Sequence, residues 1–214
     1  MINYRSKMKS QILEKTKVVI VGLEWDIVDL IDSFSEIEIA GFIDNAPLEA
    51  STIPYLGTDS DWKSLSKNEP ALKVVLALDF PDVRARLFSE YSSENILTVV
   101  SPEAYISKRA SLGHGSVVQR GAVVMPLAQI GEACKFNVNA TVHHEAVVGS
   151  FTTLAPGCQV LGRVVIEDQV YVGAGAIIRQ KCRVGARATI GAGAVVVKDV
   201  PTGATVVGVP AKPL

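Results

Sequence analysis

Large apolar residues recur at every sixth position from Val100 to Val196, seventeen times without a break. They are Val100, Ile106, Leu112, Val118, Val124, Ile130, Phe136, Val142, Val148, Leu154, Val160, Ile166, Val172, Ile178, Val184, Ile190 and Val196. A period of six fits neither an α-helix nor a simple strand, whose periods are about 3.6 and 2 residues. It is typical of a left-handed parallel β-helix of hexapeptide repeats, in which three short strands form each coil and one aliphatic side chain per strand points into a triangular prism. About 18 residues then make one coil, so the 97 residues of the series predict just over five coils.

Glycine often follows the apolar position of the repeat, which predicts how the prism turns its corners. Gly residues stand in this place at 113, 131, 149, 173, 185 and 191. We interpret them as corner residues whose backbone needs a positive φ, which glycine adopts without steric penalty. Thr202 occupies the next position of the series, so the prism is predicted to stop there, and the tail is predicted to cover the last coil.

The residues before the repeat alternate between apolar strands and helical patterns. The predicted strands are 17–22, 37–43, 73–78 and 96–100, and the predicted helices are 23–34, 61–65 and 79–91. This alternation indicates a small parallel, Rossmann-like α/β sheet. The predicted organisation is an extension (1–16), in which Ser10 suits the start of a short helix, an α/β domain (17–100), a β-helix (101–200) and a tail (201–214).

Composition narrows the classes of function. A net charge of −1 argues against a nucleic-acid-binding protein, which usually carries a basic excess. No apolar run reaches the roughly 18 residues of a membrane span, and the polar stretch Met1–Lys17 does not resemble a secretory signal. Three cysteines share one phase of the repeat: Cys134, Cys158 and Cys182. They form neither a CxxC pair nor a zinc-binding spacing, so we expect them to be small residues of the prism core. An odd number of unpaired cysteines also fits a protein of the reducing cytoplasm.

Two adjacent histidines followed by an acid are the candidate chemistry of the repeat. Val142 points inward, so His144, two residues on, is predicted to lie outward near a corner, while His143 faces another direction. A neutral imidazole can accept a proton from an attacking group, and the Glu145 carboxylate could fix its tautomer. On one prism His144 would be a surface residue, and it becomes a site only under the wall of another subunit. The alternative is a pair of exposed surface histidines.

A metal site between subunits is the other use of histidine in such prisms. It would require two histidines about five residues apart on one wall, whereas the spacings here are 1 and 29 or 30. We therefore expect no metal and a structural or exposed role for His114.

The α/β domain carries a second candidate site, at the carboxyl ends of its strands, where open α/β sheets bind ligands. Gly22 ends the first strand and Asp44-Asn45 follows the second, but the loop Leu23-Glu24-Trp25-Asp26 lacks the glycine fingerprint of dinucleotide-binding folds. These residues predict a site for a nucleotide-bearing substrate. The alternative is a domain that only packs and positions.

Three stretches resemble the hexapeptide acyltransferases that acetylate sugar nucleotides or sialic acids. They are Asn137–Glu145, the pair Val172–Gly175 and Ile190–Gly193, and the ending Gly208–Lys212. More narrowly, the chain is similar to the N-acetyltransferases of nucleotide-linked 4-amino-6-deoxy sugars, such as those of UDP-N,N′-diacetylbacillosamine synthesis. The resemblance covers nearly the whole chain from Lys17 onward.

The resemblance implies a role for each candidate residue, with acetyl-CoA as co-substrate and no metal. His144 would be the general base and Glu145 its partner, while the N–H of Gly162 would donate to the thioester oxygen. The acceptor would be oriented by Asn137, Asp44 and Asn45. The coenzyme would lie against Thr153, Gly173, Ala174, Gly191 and Ala192, with Lys212 near its phosphates. The family also implies a homotrimer with active sites between subunits.

The two loops that hold the nucleotide in this family depart from its pattern. Acids stand at Glu24, Asp26 and Asp79, where relatives carry mainly glycine. Such acids are expected to repel a diphosphate unless they bind the base or the ribose hydroxyls. The sequence thus predicts an N-acetyltransferase for a UDP-linked amino sugar, with a sugar or sialic acid O-acetyltransferase and a non-catalytic trimeric scaffold as the alternatives.

Overall fold

The computed structural model describes residues 15–49 and 51–214. The predicted extension, with its helix start at Ser10, lies outside the described residues except for its last two positions. The described chain forms a small α/β domain followed by a long prism of short parallel strands.

The α/β domain is built on a three-stranded parallel sheet in the order β2-β1-β3. Its strands are β1 (Thr16–Val21), β2 (Ile37–Ile43) and β3 (Lys73–Leu76). Its helices are α1 (Trp25–Asp32), α2 (Trp62–Asn68) and α3 (Pro81–Glu90), with short 3₁₀ turns at Asp59–Asp61 and Ser93–Asn95. Side chains of β1 alternate between two apolar cores, one with Ile27 and Ile31 of α1, the other with Leu87 of α3.

Residues 96–100 were predicted to pair with this sheet as its fourth strand, and that prediction is wrong. Only Ile96 bridges the sheet, opposite Val74. Val99 and Val100 instead form the first strand of the prism, which makes the connection between the two parts short.

Three parallel sheets form the walls of the prism. Wall 1 contains β4 (Val99–Val100), β7 (Val117–Val118), β10 (Lys135–Phe136), β13 (Thr153–Leu154), β16 (Tyr171–Val172) and β19 (Thr189–Ile190). Wall 2 contains β5 (Tyr105–Ile106), β8 (Val123–Val124), β11 (Thr141–Val142), β14 (Gln159–Val160), β17 (Ile177–Ile178) and β20 (Val195–Val196). Wall 3 contains β6 (Ser111–Leu112), β9 (Gln129–Ile130), β12 (Val147–Val148), β15 (Val165–Ile166) and β18 (Arg183–Val184).

Each strand pairs with the strand one coil away, 18 residues along the chain, as Val142 does with Val160. From Val118 onward every member of the six-residue series is buried, and the first three are partly buried against the same core. The predicted fold class, a small α/β domain followed by a left-handed parallel β-helix, is confirmed. The three cysteines are unpaired, buried residues of the prism core.

The glycines after the apolar positions serve close packing, which corrects their prediction as residues of positive φ. A Cβ on Gly113 would lie 2.1 Å from the carbonyl oxygen of Gly131, and one on Gly173 would lie 2.6 Å from the backbone nitrogen of Ala192. Stacked coils approach each other too closely there for a side chain. Positive φ falls mostly three residues after the inward position, where larger residues such as Glu145 (φ 59°) and Arg163 (φ 61°) are common.

The prism also continues beyond the predicted stop at Thr202. Val200 bridges Val184, and β21 (Thr205–Val207) adds a strand to wall 1 by pairing Val206 with Ile190. The apolar series resumes with a changed phase, because these partners are 16 residues apart instead of 18. Strand β22 (Lys212–Pro213) then pairs antiparallel with β21 at the end of the wall.

Candidate active site

His144 lies at the corner between wall 2 and wall 3. It follows β11, and 54% of its side chain is exposed. Its Nδ1 is 3.0 Å from Oε2 of Glu145. With Nδ1–H donating to this carboxylate, Nε2 keeps its lone pair and can accept a proton.

The carboxylate of Glu145 is held ionised from two sides. The hydrogen bond from His144 lowers the pKa of Glu145 below its usual range, and Arg163 lowers it further. Nε of Arg163 donates to Oε2 of Glu145 over 3.0 Å. A charged carboxylate is therefore fixed behind the imidazole, as general-base catalysis requires.

Gly162 lies one coil away, directly over the other ring nitrogen. A Cβ added to Gly162 would stand 2.7 Å from Nε2 of His144, so the ring position depends on the glycine. The backbone N–H of Gly162 has no hydrogen-bond acceptor in the part of the chain that the structure describes. It remains available to a ligand beside the imidazole.

These residues line an open pocket of ≈ 310 Å³. His143 lines the same pocket, together with His144, Leu161, Gly162, Arg163, Gln180 and Lys181. Alternation predicts that His143 faces another direction, whereas the structure places both histidines at the same pocket. The ring of His143 nevertheless makes no hydrogen bond within the described residues, unlike that of His144.

The predicted coenzyme residues gather mainly at the other edge of wall 2. Ala174 and Ala192 are exposed, one coil apart, at the corner between walls 1 and 2, and the N–H of Gly193 donates to the carbonyl of Ala174. Gly173 and Gly191 precede these alanines, and Lys212 is exposed on β22 near the end of wall 1. Within one protomer, wall 2 separates this corner from His144.

Thr153 has a different role from the predicted one. Its side chain is completely buried on wall 1, where its hydroxyl donates to the carbonyl of Asp79 and accepts from Arg84. A side chain without exposed surface cannot contact a coenzyme, so its prediction as a coenzyme-binding residue is wrong.

Asn137 is likewise separated from His144. It lies at the corner between walls 1 and 2, is 5% exposed, and donates from Nδ2 to Oδ1 of Asp79 over 3.1 Å. Within one protomer it therefore does not orient His144. It lies instead where the α/β domain meets the prism.

The acids of the two loops that depart from the family pattern, Glu24, Asp26 and Asp79, contact the prism at that junction. Lys135 extends from wall 1 with a fully buried side chain, and its Nζ contacts the carboxylates of Glu24 and Asp79 and the carbonyl of Ala77. Asp26 accepts a hydrogen bond from Gln119. Burial is the main cause that raises the pKa of Glu24, with Lys135 acting in the opposite direction.

Arg84 of α3 completes the junction and was not predicted from the sequence. It is 1% exposed, and its guanidinium donates to the carbonyls of Leu78, Ala133 and Phe151 and to the hydroxyl of Thr153. Burial without a directly paired carboxylate lowers the pKa of Arg84 to about 10, so it remains charged at neutral pH. The α/β domain is thus fastened to the first half of wall 1.

A cavity of ≈ 60 Å³ opens at the carboxyl ends of the three parallel strands. Asp44 and Asn45 line it, as predicted for the substrate site, together with Gly22, Asp59 and Arg86. The carboxylate of Asp44 accepts from the backbone nitrogens of Leu23 and Asn45, which joins the loop after β1 to the end of β2. Arg86 was not predicted, and it is the cationic residue among those lining this cavity.

Residues 15–49 and 51–214 contain no group of three or more His, Cys, Asp or Glu side chains placed to hold a metal ion. In the same ranges, no helix has both the length and the apolar character to cross a membrane.

Comparisons with known proteins give matches at the level of fold and family. The family described as bacterial transferase hexapeptide (six repeats) matches residues 163–198. A search of curated protein sequences gives no match.

Three solved structures match along nearly the whole chain. The acetyltransferase domain of PglB from Neisseria gonorrhoeae, in complex with acetyl coenzyme A, is 29% identical with a TM-score of 0.83 and covers 94% of this chain and 100% of its own. PerB from Caulobacter crescentus, in complex with CoA and GDP-perosamine, is 26% identical with a TM-score of 0.86 and covers 92% of this chain and 97% of its own. WeeI from Acinetobacter baumannii is 29% identical with a TM-score of 0.80 and covers 93% of this chain and 100% of its own.

The repeat match and the three structures confirm the predicted enzyme class, an acyltransferase, and the resemblance to hexapeptide-repeat enzymes. Within that class, the resemblance to the sugar-nucleotide N-acetyltransferases is confirmed by the matches to PglB, PerB and WeeI. The complexes with acetyl coenzyme A and CoA likewise bear out acetyl-CoA as the co-substrate of this class.

Proposed function

We propose that this protein transfers an acetyl group from acetyl-CoA to the amino group of a nucleotide-linked 4-amino-6-deoxy sugar, with UDP as the nucleotide. The observation that carries this proposal is the imidazole of His144, held by Glu145 and presented beside an unpaired backbone N–H at Gly162. Among the matched structures, PerB was solved with CoA and a sugar nucleotide, GDP-perosamine, which supports the substrate class.

In the proposed reaction, Nε2 of His144 takes a proton from the sugar amine as the nitrogen attacks the thioester carbonyl. Glu145 stabilises the imidazolium that forms. The N–H of Gly162 donates to the oxyanion of the tetrahedral intermediate, which then collapses with departure of the CoA thiolate. The proton on His144 can pass to that thiolate, which returns the base to its starting state.

The acyl donor is proposed to lie along wall 2. Ala174, Ala192 and the preceding glycines would contact its extended arm, and Lys212 its phosphates. Because wall 2 separates these residues from His144, a complete site needs the His144 corner of one subunit beside the alanine corner of another. The coenzyme would then lie between two prisms.

This arrangement predicts a homotrimer. The α/β domain covers much of wall 1, while walls 2 and 3 carry partly exposed apolar side chains such as Ile177, Val195, Val147 and Val165. Packing wall 2 of one subunit on wall 3 of the next closes a three-fold ring. Light scattering should give about three times the chain mass of 22.8 kDa. A monomer that retains full activity would contradict the inter-subunit site.

The reaction itself can be tested by measuring CoA release with a panel of acceptors. The panel contains UDP-, GDP- and dTDP-linked 4-amino-6-deoxy sugars, the matching 4-hydroxy sugars and free sialic acid. We expect turnover with an amino sugar linked to UDP. Turnover only with hydroxyl acceptors would instead indicate an O-acetyltransferase, and binding without any turnover would indicate a scaffold.

The nucleotide is proposed to occupy the cavity at Asp44. Asp44→Ala should raise the KM for the acceptor roughly tenfold and leave the KM for acetyl-CoA within about twofold, because the loss of one charge-assisted hydrogen bond weakens acceptor binding alone. Steady-state kinetics with each substrate varied in turn measures both constants.

The matched control is Asp29→Ala, on the exposed side of α1. It removes the same charge from the same domain and should change neither KM. An equal rise of both constants in Asp44→Ala would instead assign Asp44 to folding, through its hydrogen bonds to Leu23 and Asn45.

A further inference from the structure

Arg163 occupies the corner position one coil beyond Glu145, at the same place in the repeat. Both residues have a positive φ, 61° and 59°, so their side chains leave the prism in the same direction. Two nitrogens of Arg163 approach Oε2 of Glu145 at 3.0 Å each. The same oxygen accepts from Nδ1 of His144 at 3.0 Å. The three residues thus form a chain, Arg163–Glu145–His144.

We infer that Arg163 is a positioning residue for the proposed reaction: it orients the Glu145 carboxylate toward Nδ1 of His144 and offsets part of its charge. This inference rests on the proposed function, in which His144 is the general base. The adjacency of His144 and Glu145 in the sequence does not by itself fix their geometry, since the Glu145 side chain is 40% exposed and free to rotate into solvent. Arg163 supplies the second contact that fixes it.

The charged groups around His144 show through which residue Arg163 would change the protonation of the imidazole. The charged or titratable groups that line its pocket are Arg163, Lys181 and His143, and the acid Glu145 contacts the ring directly. On the side of the preceding coil, Met125 and Pro126 carry no charge. Glu145 is therefore the anion that favours the imidazolium, and Arg163 is the cation in contact with it.

The sign of the expected change follows from this arrangement. A carboxylate without its cation attracts the proton of the imidazolium more strongly, so His144 should hold its proton up to a higher pH in Arg163→Gln. The acid limb of kcat/KM should move upward by roughly 0.3–0.7 pH units, the size expected for one exposed charge pair. Glu145 itself stays ionised across this range because its pKa is lowered. A less well-oriented base should also lower kcat several-fold.

Arg187 provides a matched control. It has the same place in the repeat, a φ of 58°, and a contact from Nε to Oε1 of Gln169, 18 residues earlier, at 3.0 Å. Arg187→Gln removes the same charge and the same kind of inter-coil contact at another corner. It should leave the pH profile unchanged, while Arg163→Lys should restore most of the wild-type profile.

The decisive measurement is an NMR titration of ¹³Cε1-labelled histidine, which needs no substrate. Only three histidines are present, so His143→Gln and His114→Gln assign the resonance of His144. An upward shift of the His144 titration in Arg163→Gln but not in Arg187→Gln supports the inference. No shift, or the same shift in both variants, would overturn it. A shift without turnover for any acceptor would leave the Arg163–Glu145–His144 arrangement standing and reject the proposed acetyl transfer.

Discussion

Replacing His144 with alanine is expected to lower kcat by a factor of roughly 10² to 10⁴, the usual contribution of a general base. The KM for acetyl-CoA should change little, because the coenzyme is proposed to be held by Ala174, Ala192, the preceding glycines and Lys212 rather than by His144. The fold should be unaffected, since the side chain is largely exposed. Steady-state kinetics and a thermal unfolding curve of the same preparation measure both effects.

His143→Ala is the comparison that assigns the base. His143 lines the pocket but lacks a carboxylate partner, so its loss should lower kcat less than tenfold. If His143→Ala is the inactive variant and His144→Ala stays active, the base is the other histidine and the geometry at Glu145 has no catalytic meaning.

Gly162→Ala gives an independent check without altering either histidine. The new methyl group would stand 2.7 Å from Nε2 of His144, and an exposed ring can move away at little expense in stability. We therefore expect an unchanged melting temperature and a kcat close to that of His144→Ala. Full activity in this variant would show that the ring does not work from the position that the structure gives it.

Replacing Lys135 with methionine is expected to destabilise the protein by about 3–5 kcal/mol, the largest effect on stability that we predict. The substitution keeps most of the volume but leaves the carboxylates of Glu24 and Asp79 without their buried cation. Because the loss falls at the junction, the α/β domain should separate from wall 1 and unfold first. Urea unfolding followed by the fluorescence of Trp25 and Trp62, the two tryptophans of the chain, reports on that domain.

Lys17→Met is the matched control in the same domain. Lys17 forms a surface ion pair with Glu69, and both side chains are more than half exposed. Removing the Lys17 charge should therefore change the free energy of unfolding by at most about 1 kcal/mol. Adding Glu24→Gln and Asp79→Asn to Lys135→Met removes the unpaired charges and should recover most of the stability. A triple variant as unstable as Lys135→Met would mean that the Lys135 side chain matters through packing alone.

Periodicity explains why the prism could be predicted in detail. Each inward position, such as Val142 or Val160, obeys the same local requirement, and the requirement repeats every six residues along the chain. The corner with His144 and Glu145 could be found for the same reason, because its place relative to Val142 is given by the repeat. The end of the prism could not, because Val200 and Val206 continue it with the phase shifted by two residues.

The junction between the two parts follows no period, and it could not be predicted from the sequence. Lys135 and Arg84 are ordinary charged residues in the sequence, and nothing local shows that they are buried. The acids Glu24 and Asp79 were noticed only as departures from a family pattern, because their partner lies on wall 1, 56 or more positions along the chain. Arg163 could have been found, since adding 18 to the number of Glu145 gives its neighbour on the next coil.

The uninterrupted coils also restrict how the gene for such a protein can change in length. Inserting or deleting a single residue within the prism would turn every later aliphatic side chain out of the core, so tolerated changes come as whole coils of 18 residues or as loops at corners. The corner positions of positive φ accommodate side chains of different size and charge, such as Leu127, Asn139, Glu145, Phe151 and Lys181. Arg163 and Glu145 occupy two of those positions. New specificities can therefore arise at the corners by point mutation while the walls stay the same.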